Sequence, residues 1–240
     1  MSLDKRKKNN ATIICCLYNE IDIVNKNLDA FIKFLKSEKI NYQLILIDNN
    51  SSDGTKEILK DFDNSNKKNN ILVIYNKTNL GKGGSIKKSI EFAESPIIHI
   101  FDIDEYRFSD ITKNISHFTK TPGLKLLIGS RFKTNKYIYK INYLGVRLLT
   151  MMINLLFFQN LNDAAAASKI FYKKNFNEFN YKSNGFNFEF ELICKFAKKK
   201  YLIDEINNDY YPRTYEQGKK IKPIIDGLKI LFTIIISKIK

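Results

Sequence analysis

The chain of 240 residues has few cysteines, and the three present (Cys15, Cys16 and Cys194) include no Cys-x-x-Cys pair. An odd number without that spacing favours buried free thiols in a reducing compartment over a disulfide framework. Residues 1–10 are polar and basic, and no apolar h-region of the kind found in signal peptides follows them, so we expect no signal peptide. Residues 143–158 are apolar nearly all round but too short to predict a membrane span.

The composition is that of a folded protein with an excess of positive charge. A hydrophobic content of 44% and an aromatic content of 13% argue against disorder, and the length fits one large domain with appendages. The net charge is +15, part of which reflects a general abundance of Lys, Asn and Ile. No zinc finger or RNP-like aromatic pair is present, so we do not expect nucleic acid as a partner. A phosphate-rich substrate or an anionic membrane surface fits the charge better.

The first half of the sequence alternates between strand and helix patterns. Short β-branched or apolar runs are followed by segments with helical periodicity or by turn residues that open a helix. Repeated βα units of this length predict an α/β fold with a doubly wound, mostly parallel sheet. The predicted strands are residues 12–17, 43–47, 71–75, 96–101 and 124–128, and the predicted helices begin near residues 20, 53 and 81.

Polar side chains follow the predicted strands at their carboxyl ends. Asp102-Ile103-Asp104 places two carboxylates directly after the fourth strand. Two neighbouring carboxylates repel one another unless a cation lies between them, and Mg²⁺ prefers one or two carboxylates together with substrate phosphate oxygens. Ligands of open α/β sheets bind at this edge, so the pattern predicts a metal-bound diphosphate. The other polar groups at this edge are Tyr18-Asn19-Glu20, Asp48-Asn49 and Ser130-Arg131.

The second half offers two apolar helices. Residues 143–158 predict either a buried helix or one that lies against lipid. Towards the C-terminus, polar residues recur every three or four positions from Lys222 to Lys240, which predicts an amphipathic helix. This helix could lie on a membrane surface or dock on the core of the protein. We therefore expect a basic tail at residues 1–10, a main domain at residues 11–222 and an amphipathic helix at residues 223–240.

The order and spacing of these segments resemble family 2 glycosyltransferases with the GT-A fold. The later segments are similar to the branch that contains dolichyl-phosphate mannose synthase and polyprenyl-phosphate glycosyltransferases. The landmarks are Tyr18-Asn19-Glu20, residues 47–55, 79–83, Asp102-Ile103-Asp104 and 129–131, and in the second half residues 163–171, 186–192, 211–213 and 218–220. The chain departs from the family pattern at Cys16 (usually Pro), Tyr106 (often Gln, a metal ligand) and Ala166-Ala167 (usually Ser-Gly).

The resemblance implies a role for each matching residue. It places the nucleotide-sugar against Tyr18, Glu20, Asp48, Asn49, Lys82, Asp102 and Ile103, with Asp48 on the base or ribose. Asp104, assisted by Asp102, would ligate Mg²⁺ or Mn²⁺. Arg131, Arg213 and Lys219 would bind phosphate groups of the acceptor. Asp163 and Arg131 are the expected catalytic residues, with Asp163 as a base or an orienting group unless it only caps a turn.

The resemblance further implies a metal-dependent, inverting transfer from a UDP- or GDP-sugar. A polyprenyl phosphate acceptor is already ionised and needs cations more than a base, which the basic cluster favours. Two alternatives stay open: a saccharide acceptor in surface polysaccharide synthesis, and a non-catalytic nucleotide-sugar-binding protein. For a polyprenyl phosphate acceptor, we expect a cytoplasmic protein held peripherally on the inner face of the cytoplasmic membrane.

Overall fold

The computed structural model describes residues 11–38, 41–65, 70–131 and 139–239, so the predicted basic tail lies outside the described residues. Strands and helices alternate through most of the chain. The strands are β1 (Ala11–Leu17), β2 (Tyr42–Asp48), β3 (Ile71–Tyr75), β4 (Ile97–Ile100), β5 (Leu124–Ser130), β6 (Lys169–Tyr172) and β7 (Leu202–Asn207). The helices are α1 (Ile21–Ser37), α2 (Thr55–Ser65), α3 (Gly81–Glu91), α4 (Ser109–Lys120), α5 (Lys140–Phe157), α6 (Lys173–Phe176), α7 (Phe188–Lys198) and α8 (Pro223–Ile239).

The strands form one mostly parallel sheet, as the sequence predicts. Their order is β3-β2-β1-β4-β6-β5-β7. β1 pairs in parallel with β2 and β4, and β5 pairs in parallel with β7. β6 runs antiparallel between β4 and β5. Because of this reversal, β6 begins at the edge where its two neighbours end, and the residues before it are brought to that same edge.

Each face of the sheet carries its own hydrophobic core. Alternate residues of a strand point to opposite faces, so Ile13 and Ile14 of β1 belong to different clusters. Helices α1, α2 and α4 cover one face, where Phe31 and Phe118 are completely buried. Helices α3, α5, α7 and α8 cover the other face, which is centred on residues such as Phe188. Both faces are buried, which explains why the strands read as continuous apolar runs.

α8 and α5 each bury one side and expose the other. α8 packs against α5 and α7, with Ile230 and Ile234 in the core. Both helices therefore dock on the core, as one of the two proposed positions predicts, and both also present apolar side chains to solvent. The exposed apolar residues are Ile141, Leu144, Leu148, Met151, Leu155 and Phe158 at α5, and Ile224, Ile225, Leu228, Phe232, Ile235, Ile236 and Ile239 on α8.

The two helices lie side by side and run in the same direction. At their beginnings, the Tyr139 hydroxyl accepts a hydrogen bond from the backbone N–H of Tyr215, shortly before α8. At their ends, Lys238 Nζ donates to the carbonyl oxygen of Leu156 at 2.6 Å. Of the helices in the described part of the chain, none is long and apolar enough to cross a membrane.

Candidate functional site

A cavity of about 840 Å³ opens at the edge of the sheet where β1, β2, β4 and β5 end. It brings together most of the residues that the sequence singles out. Those lining it are Tyr18, Glu20, Asn49, Lys82, Asp102, Ile103, Asp104, Arg131, Arg213 and Lys219. Asp48 and Asp163 are completely buried and are not among the lining residues.

The loops after β1 and β2 are fastened to each other through Asp53. Its Oδ1 accepts hydrogen bonds from the backbone and side chain of Thr55 at the start of α2, near the helix start that the sequence predicts. Its Oδ2 accepts the backbone N–H of Ile21, the first residue of α1, at 3.0 Å. These hydrogen bonds hold the pKa of Asp53 below its usual value, although burial alone would raise it. One carboxylate thus fixes the position of Tyr18 and Glu20 relative to β2.

Asp48 and Asn49 at the end of β2 order the neighbouring turns. Asp48 accepts the backbone N–H of Ser51, so its oxygens serve the turn in this conformation. The Asn49 side chain donates to Asn79 Oδ1 at 2.8 Å and accepts the backbone N–H of Leu80, just before α3. This arrangement presents the first turn of α3, and with it Lys82, to the cavity.

Lys82 lies between two carboxylates that come from different elements. Its Nζ donates to Asp102 Oδ2 at 2.8 Å and lies 3.0 Å from Glu189 Oε1 in the first turn of α7. Burial alone would lower the pKa of Lys82, but Asp102 and Glu189 raise it well above its usual range. Lys82 is therefore a charged group that aligns Asp102 at the cavity wall.

Asp104 is paired with Arg213, which comes from the segment between β7 and α8. Arg213 Nε lies 2.6 Å from Asp104 Oδ2, and its NH1 donates to Glu20 Oε2 at 2.7 Å. Lys220 of the same segment donates to the carbonyl oxygen of Asn19 at 2.8 Å. Burial, reinforced by the charge of Glu105, raises the pKa of Asp104 to about 8. The carboxylates at this edge therefore depend on cations to remain charged.

The donor set at Asp102 and Asp104 fits a hard divalent cation. Asp104 Oδ2 is buried and pairs with Arg213 Nε at 2.6 Å, so a metal ion would share this carboxylate with the guanidinium. Among the described residues no cluster of three or more His, Cys, Asp or Glu side chains is arranged as a metal site. Mg²⁺ usually takes one or two protein carboxylates and completes its shell with water and substrate phosphates. Two carboxylates beside a large cavity meet that need.

Arg131 and Asp163 form a buried ion pair at the end of β5. Arg131 donates to Asp163 through Nε and NH2, each at 2.7 Å, and through its backbone N–H. Although burial alone would raise the pKa of Asp163, Arg131 holds it below its usual value. Arg131 also lies over the ring of Tyr210, 5.2 Å from the centroid. Asp163 is therefore not part of the cavity wall, and it influences the cavity by positioning the Arg131 guanidinium.

Several buried charged residues near the site were not assigned from the sequence. Glu105 lines the cavity, and burial raises its pKa. Lys169 on β6 is completely buried, 3.9 Å from Glu189. Glu and Lys side chains are usually exposed, so residue type does not single them out. The available signals are that Glu105 directly follows Asp104 and that Lys169 lies in the family-like segment at residues 163–171. Tyr106, which departs from the family pattern, fills the core, and its hydroxyl accepts the backbone N–H of Ala167.

The cavity continues from this charged end into an apolar groove between α5 and α8, which extends from their first turns to Leu149 and Ile230. Its walls there are mainly aliphatic. The groove is lined by Ile141, Leu144, Leu148, Leu149, Ile224, Ile225 and Ile230. One continuous space thus joins the carboxylates of the sheet edge to exposed apolar helices.

Comparison with solved structures shows the same fold. The chain superimposes on glucosyl-3-phosphoglycerate synthase from Mycobacterium tuberculosis in complex with Mn²⁺, UDP and phosphoglyceric acid, with a TM-score of 0.73. The match covers 96% of this chain and 78% of the other at 13% identity. A similar match is found with the UDP complex of that enzyme, at 14% identity. These structures have the GT-A fold, so the predicted fold class is confirmed.

Sequence comparison finds more similar relatives. Glycosyltransferase AglJ from Haloferax volcanii is 26% identical over 77% of this chain and 59% of its own length. Dolichyl-phosphate beta-glucosyltransferase from Dictyostelium discoideum is 30% identical over 50% of this chain and 39% of its own length. The chain thus matches less than two thirds of the length of these relatives. The model of the family described as glycosyl transferase family 2 matches residues 12–180, well over half of the 240 residues. The chain therefore belongs to glycosyl transferase family 2.

Proposed function

We propose that this protein transfers a sugar from a nucleotide-sugar to a polyprenyl phosphate at a membrane surface, with inversion at the sugar carbon. The observation that carries this proposal is the single cavity that runs from the carboxylates of the sheet edge to the apolar groove between α5 and α8. A nucleotide-sugar needs a polar, cation-assisted site, whereas a polyprenyl chain needs an apolar one. The cavity offers both within one continuous space.

The donor end is the part of the cavity formed by β1, β2, β4 and α3. Tyr18 and Glu20 would contact the nucleoside, together with Asn49. Asp48, which accepts the backbone N–H of Ser51, would contact the base or ribose. Lys82, Asp102 and the backbone at Ile103 would lie along the diphosphate and the sugar. The fastening of the β1 and β2 loops by Asp53 keeps these groups in place before the donor binds.

Asp102 and Asp104 would hold a Mg²⁺ or Mn²⁺ ion bound to the diphosphate. Such an ion neutralises the charge that grows on the leaving diphosphate. Solved structures of the fold neighbour contain Mn²⁺ or Mg²⁺ with UDP, which supports this cofactor class for the proposal. Arg213 lies next to these carboxylates and would turn towards phosphate oxygens once Asp104 has another partner.

The acceptor end is served by Arg131, Arg213 and Lys219. A phosphate oxygen of the acceptor would form the bond to the anomeric carbon while the bond from that carbon to the diphosphate breaks. The electron pair of the broken bond leaves with the nucleoside diphosphate. Because the acceptor phosphate is already ionised, no side chain has to remove a proton. This agrees with the burial of Asp163, which we assign to the positioning of Arg131.

The exposed apolar sides of α5 and α8 would rest on the bilayer. Monomeric soluble proteins rarely expose apolar surfaces of this extent without a partner. Exposed lysines accompany these residues, Lys222 just before α8 and Lys229 and Lys238 on it, and they suit anionic headgroups. We propose that residues 11–222 form the catalytic domain and that the helix at residues 223–240 adds the membrane contact. The location would be the inner face of the cytoplasmic membrane.

The names of two relatives support the acceptor class. One is a dolichyl-phosphate beta-glucosyltransferase, and another is an undecaprenyl-phosphate 4-deoxy-4-formamido-L-arabinose transferase from Proteus mirabilis, 29% identical over 41% of this chain and 30% of its own length. Both names specify a polyprenyl phosphate acceptor. The Arg131, Arg213 and Lys219 cluster in this chain has the charge that such an acceptor requires.

The test is transfer of labelled sugar into lipid. The protein is incubated with vesicles that contain undecaprenyl phosphate and with labelled UDP-glucose, UDP-N-acetylglucosamine or GDP-mannose, with Mn²⁺ or with EDTA. We expect label in the organic phase for one donor, only with metal, and not with Asp104→Asn. Label that stays with a water-soluble saccharide acceptor would contradict the lipid acceptor. The absence of nucleotide binding would contradict the transferase assignment as a whole.

A further inference from the structure

The α5 wall of the apolar groove contains a polar side chain whose hydrogen-bonding groups are unused. Asn142, in the first turn of α5, is half-buried and lines the cavity. Its Nδ2 and Oδ1 atoms are both buried, and neither has a hydrogen-bond partner among the described residues. Buried polar atoms without a partner are rare, because each has lost its hydrogen bonds to water. The amide of Asn142 therefore has donor and acceptor capacity that the protein itself does not use.

A second asparagine of the same helix has a purely structural role. Asn154 donates from Nδ2 to the carbonyl oxygen of Leu161 at 2.8 Å, and its Oδ1 accepts the backbone N–H of Leu161 at 2.9 Å. Both groups of this amide are used, and they fasten the loop after α5 to the helix. Asn154 is not among the residues that line the cavity. Asn154 thus holds the structure, whereas Asn142 faces the space where a ligand would bind.

Asn142 lies close to the cations that the proposed function assigns to the acceptor phosphate. Tyr139 comes three residues before Asn142, so the two side chains lie on a similar side of the chain at the start of α5. Lys219 Nζ is placed over the ring of Tyr139, 5.9 Å from the centroid. Burial, reinforced by the charges of Arg131 and Arg213, lowers the pKa of Lys219. Asn142 is therefore within one helical turn of the point where this cationic cluster contacts α5.

The space beyond Asn142 is open and apolar. Gly145, three residues further along α5, and Gly227 on α8 both line the cavity, and a Cβ added at either position would meet no atom within 4 Å. The other residues of α5 that line the cavity are Ile141, Leu144, Gly145, Val146, Leu148 and Leu149. A molecule in the groove thus meets an apolar surface all along α5 except at Asn142.

This position suits the junction of a prenyl phosphate, where an apolar chain is attached to a charged group. The phosphate oxygens accept hydrogen bonds, and hydrogen bonds to a charged group are stronger than those between neutral groups. The side-chain amide of Asn142 supplies N–H donors for such an oxygen, and its terminal torsion is broad enough to turn them towards it. An apolar ligand without a phosphate would leave the same amide unpaired.

We propose that Asn142 donates a hydrogen bond to a phosphate oxygen of the prenyl phosphate acceptor and so fixes the point at which the apolar chain enters the groove. This inference rests on the function proposed above. Asn142 would be an acceptor-binding residue that has no contact with the nucleotide-sugar. It would favour a phosphorylated prenyl chain over the corresponding alcohol, because the alcohol forms only an uncharged hydrogen bond.

The test compares a short prenyl phosphate with the alcohol from which it is derived. Dissociation constants of geranyl phosphate and geraniol are measured by calorimetry for the wild type and for Asn142→Leu. We expect the variant to bind geranyl phosphate on the order of tenfold more weakly, as for a lost hydrogen bond to a charged group, and geraniol nearly as well as before. Binding of UDP or GDP with Mn²⁺ should be unchanged. The melting temperature of the free variant should be equal or higher, because leucine removes two unpaired buried polar atoms.

Two further variants make the comparison specific. Asn142→Asp keeps the shape of the side chain but replaces the N–H donor by a charged oxygen, so it should weaken geranyl phosphate more than Asn142→Leu does. Asn154→Leu is the matched control on the same helix, because it removes two hydrogen bonds that are formed. It should lower the melting temperature and leave the ratio of the two dissociation constants unchanged. If Asn142→Leu does not fold, Asn142→Asp carries the test.

The outcomes separate this inference from the function on which it rests. If the wild-type protein binds nucleoside diphosphates but not geranyl phosphate, the proposed acceptor class fails and the role of Asn142 fails with it. If the wild-type protein binds geranyl phosphate, and the Asn142 variants bind it equally well or weaken geraniol by the same factor, the proposed acceptor class stands. Asn142 would in that case not contact the phosphate, and the inference would be overturned.

Discussion

Arg213 Nε lies 2.6 Å from Asp104 Oδ2, so a cation of the chain itself pairs with a carboxylate that we assign to the metal. The same guanidinium donates to Glu20, and Lys220 lies 3.4 Å from the other oxygen of Glu20. The segment between β7 and α8 is thereby fastened to the ends of β1 and β4. Under the proposed function, binding of a metal–diphosphate at Asp104 would compete with this ion pair.

Removal of Arg213 should therefore strengthen the response to metal alone. In Arg213→Ala, Asp104 and Glu20 lose their counter-charge, so the melting temperature without metal should fall. Free Mn²⁺ should then raise it by more than it does in the wild-type protein, because a ligand that binds only the folded state stabilises it. The measurement is a thermal melt with and without Mn²⁺.

A matched control for this experiment is Arg107→Ala, which removes an exposed ion pair with Asp209. Surface pairs contribute little to stability, so this variant should behave as the wild type does. An equal Mn²⁺ response in Arg213→Ala and the wild type would show that Arg213 and the metal do not share Asp104.

Removal of one partner of the Asp163–Arg131 ion pair should lower the stability of the protein strongly. Asp163→Asn leaves the Arg131 guanidinium buried without a full counter-charge, which typically destabilises a protein by about 3–5 kcal/mol. Urea unfolding measures the loss, and the KM for the lipid acceptor should rise in parallel because Arg131 is no longer oriented. Asp204→Asn at the half-exposed pair with His117 is the control and should have a small effect. Unchanged stability of Asp163→Asn would contradict the positioning role.

The sequence predicted those parts of the fold that depend on local pattern. All five predicted strands are present, because segments such as the one around Ile13 and Ile14 are buried on both faces of the sheet and read as continuous apolar runs. The site edge was predictable for a related reason. In a parallel sheet the residues after each strand meet at one edge, so Glu20, Asp102 and Arg131 had to lie close together.

What the sequence did not predict depends on pairing between distant segments. The insertion of β6 between β4 and β5 in the antiparallel sense is set by long-range contacts, and it brings Lys169 behind the site. Whether Glu189 or Glu191 faces the cavity depends on the rotation of α7 against α3 and β6, which residue type does not reveal. The two-sided character of α5 was hidden because its buried and exposed sides are both apolar.

The free energy of unfolding should depend on pH through one buried histidine, His99. Burial lowers the pKa of His99 to about 3, from 6.5 in an exposed histidine. Between these two values the unfolded chain takes up a proton that the folded protein does not, so the free energy of unfolding falls as the pH falls from about 6.5 towards 3. The contribution approaches about 1.4 kcal/mol per pH unit within this window.

The chain has two histidines, so the effect of His99 can be separated by substitution. The difference in unfolding free energy between the wild type and His99→Gln should shrink as the pH is lowered from 7 to 4, measured by urea unfolding at each pH. His117→Gln, at the half-exposed pair with Asp204, serves as the control. Its free energy of unfolding should fall with decreasing pH as that of the wild type does. A constant difference for His99→Gln across the range would mean that His99 becomes protonated in the folded protein.

The apolar sides of α5 and α8 allow membrane binding to be tested without unfolding the protein. Leu155 and Phe232 are 68% and 60% exposed, so a charge at either position should leave the core intact. If these side chains enter the bilayer, each contributes about 1.5–3 kcal/mol of apolar transfer. Leu155→Glu and Phe232→Glu should therefore each weaken binding to anionic vesicles on the order of tenfold or more, which flotation with lipid vesicles measures.

The controls decide between lipid contact and a general loss of structure. Leu202→Glu places the same charge at an exposed leucine of β7 and should float with the vesicles as the wild type does. Ile234→Glu places it in the core of α8 and should lower the melting temperature instead. Higher salt should weaken the binding of the wild type to anionic vesicles, because exposed lysines such as Lys229 contribute through screened attraction. If the wild-type protein remains unbound at low salt, or if Phe232→Glu floats as well as Leu202→Glu, the exposed apolar helices serve another partner and the acceptor must reach the cavity from solution.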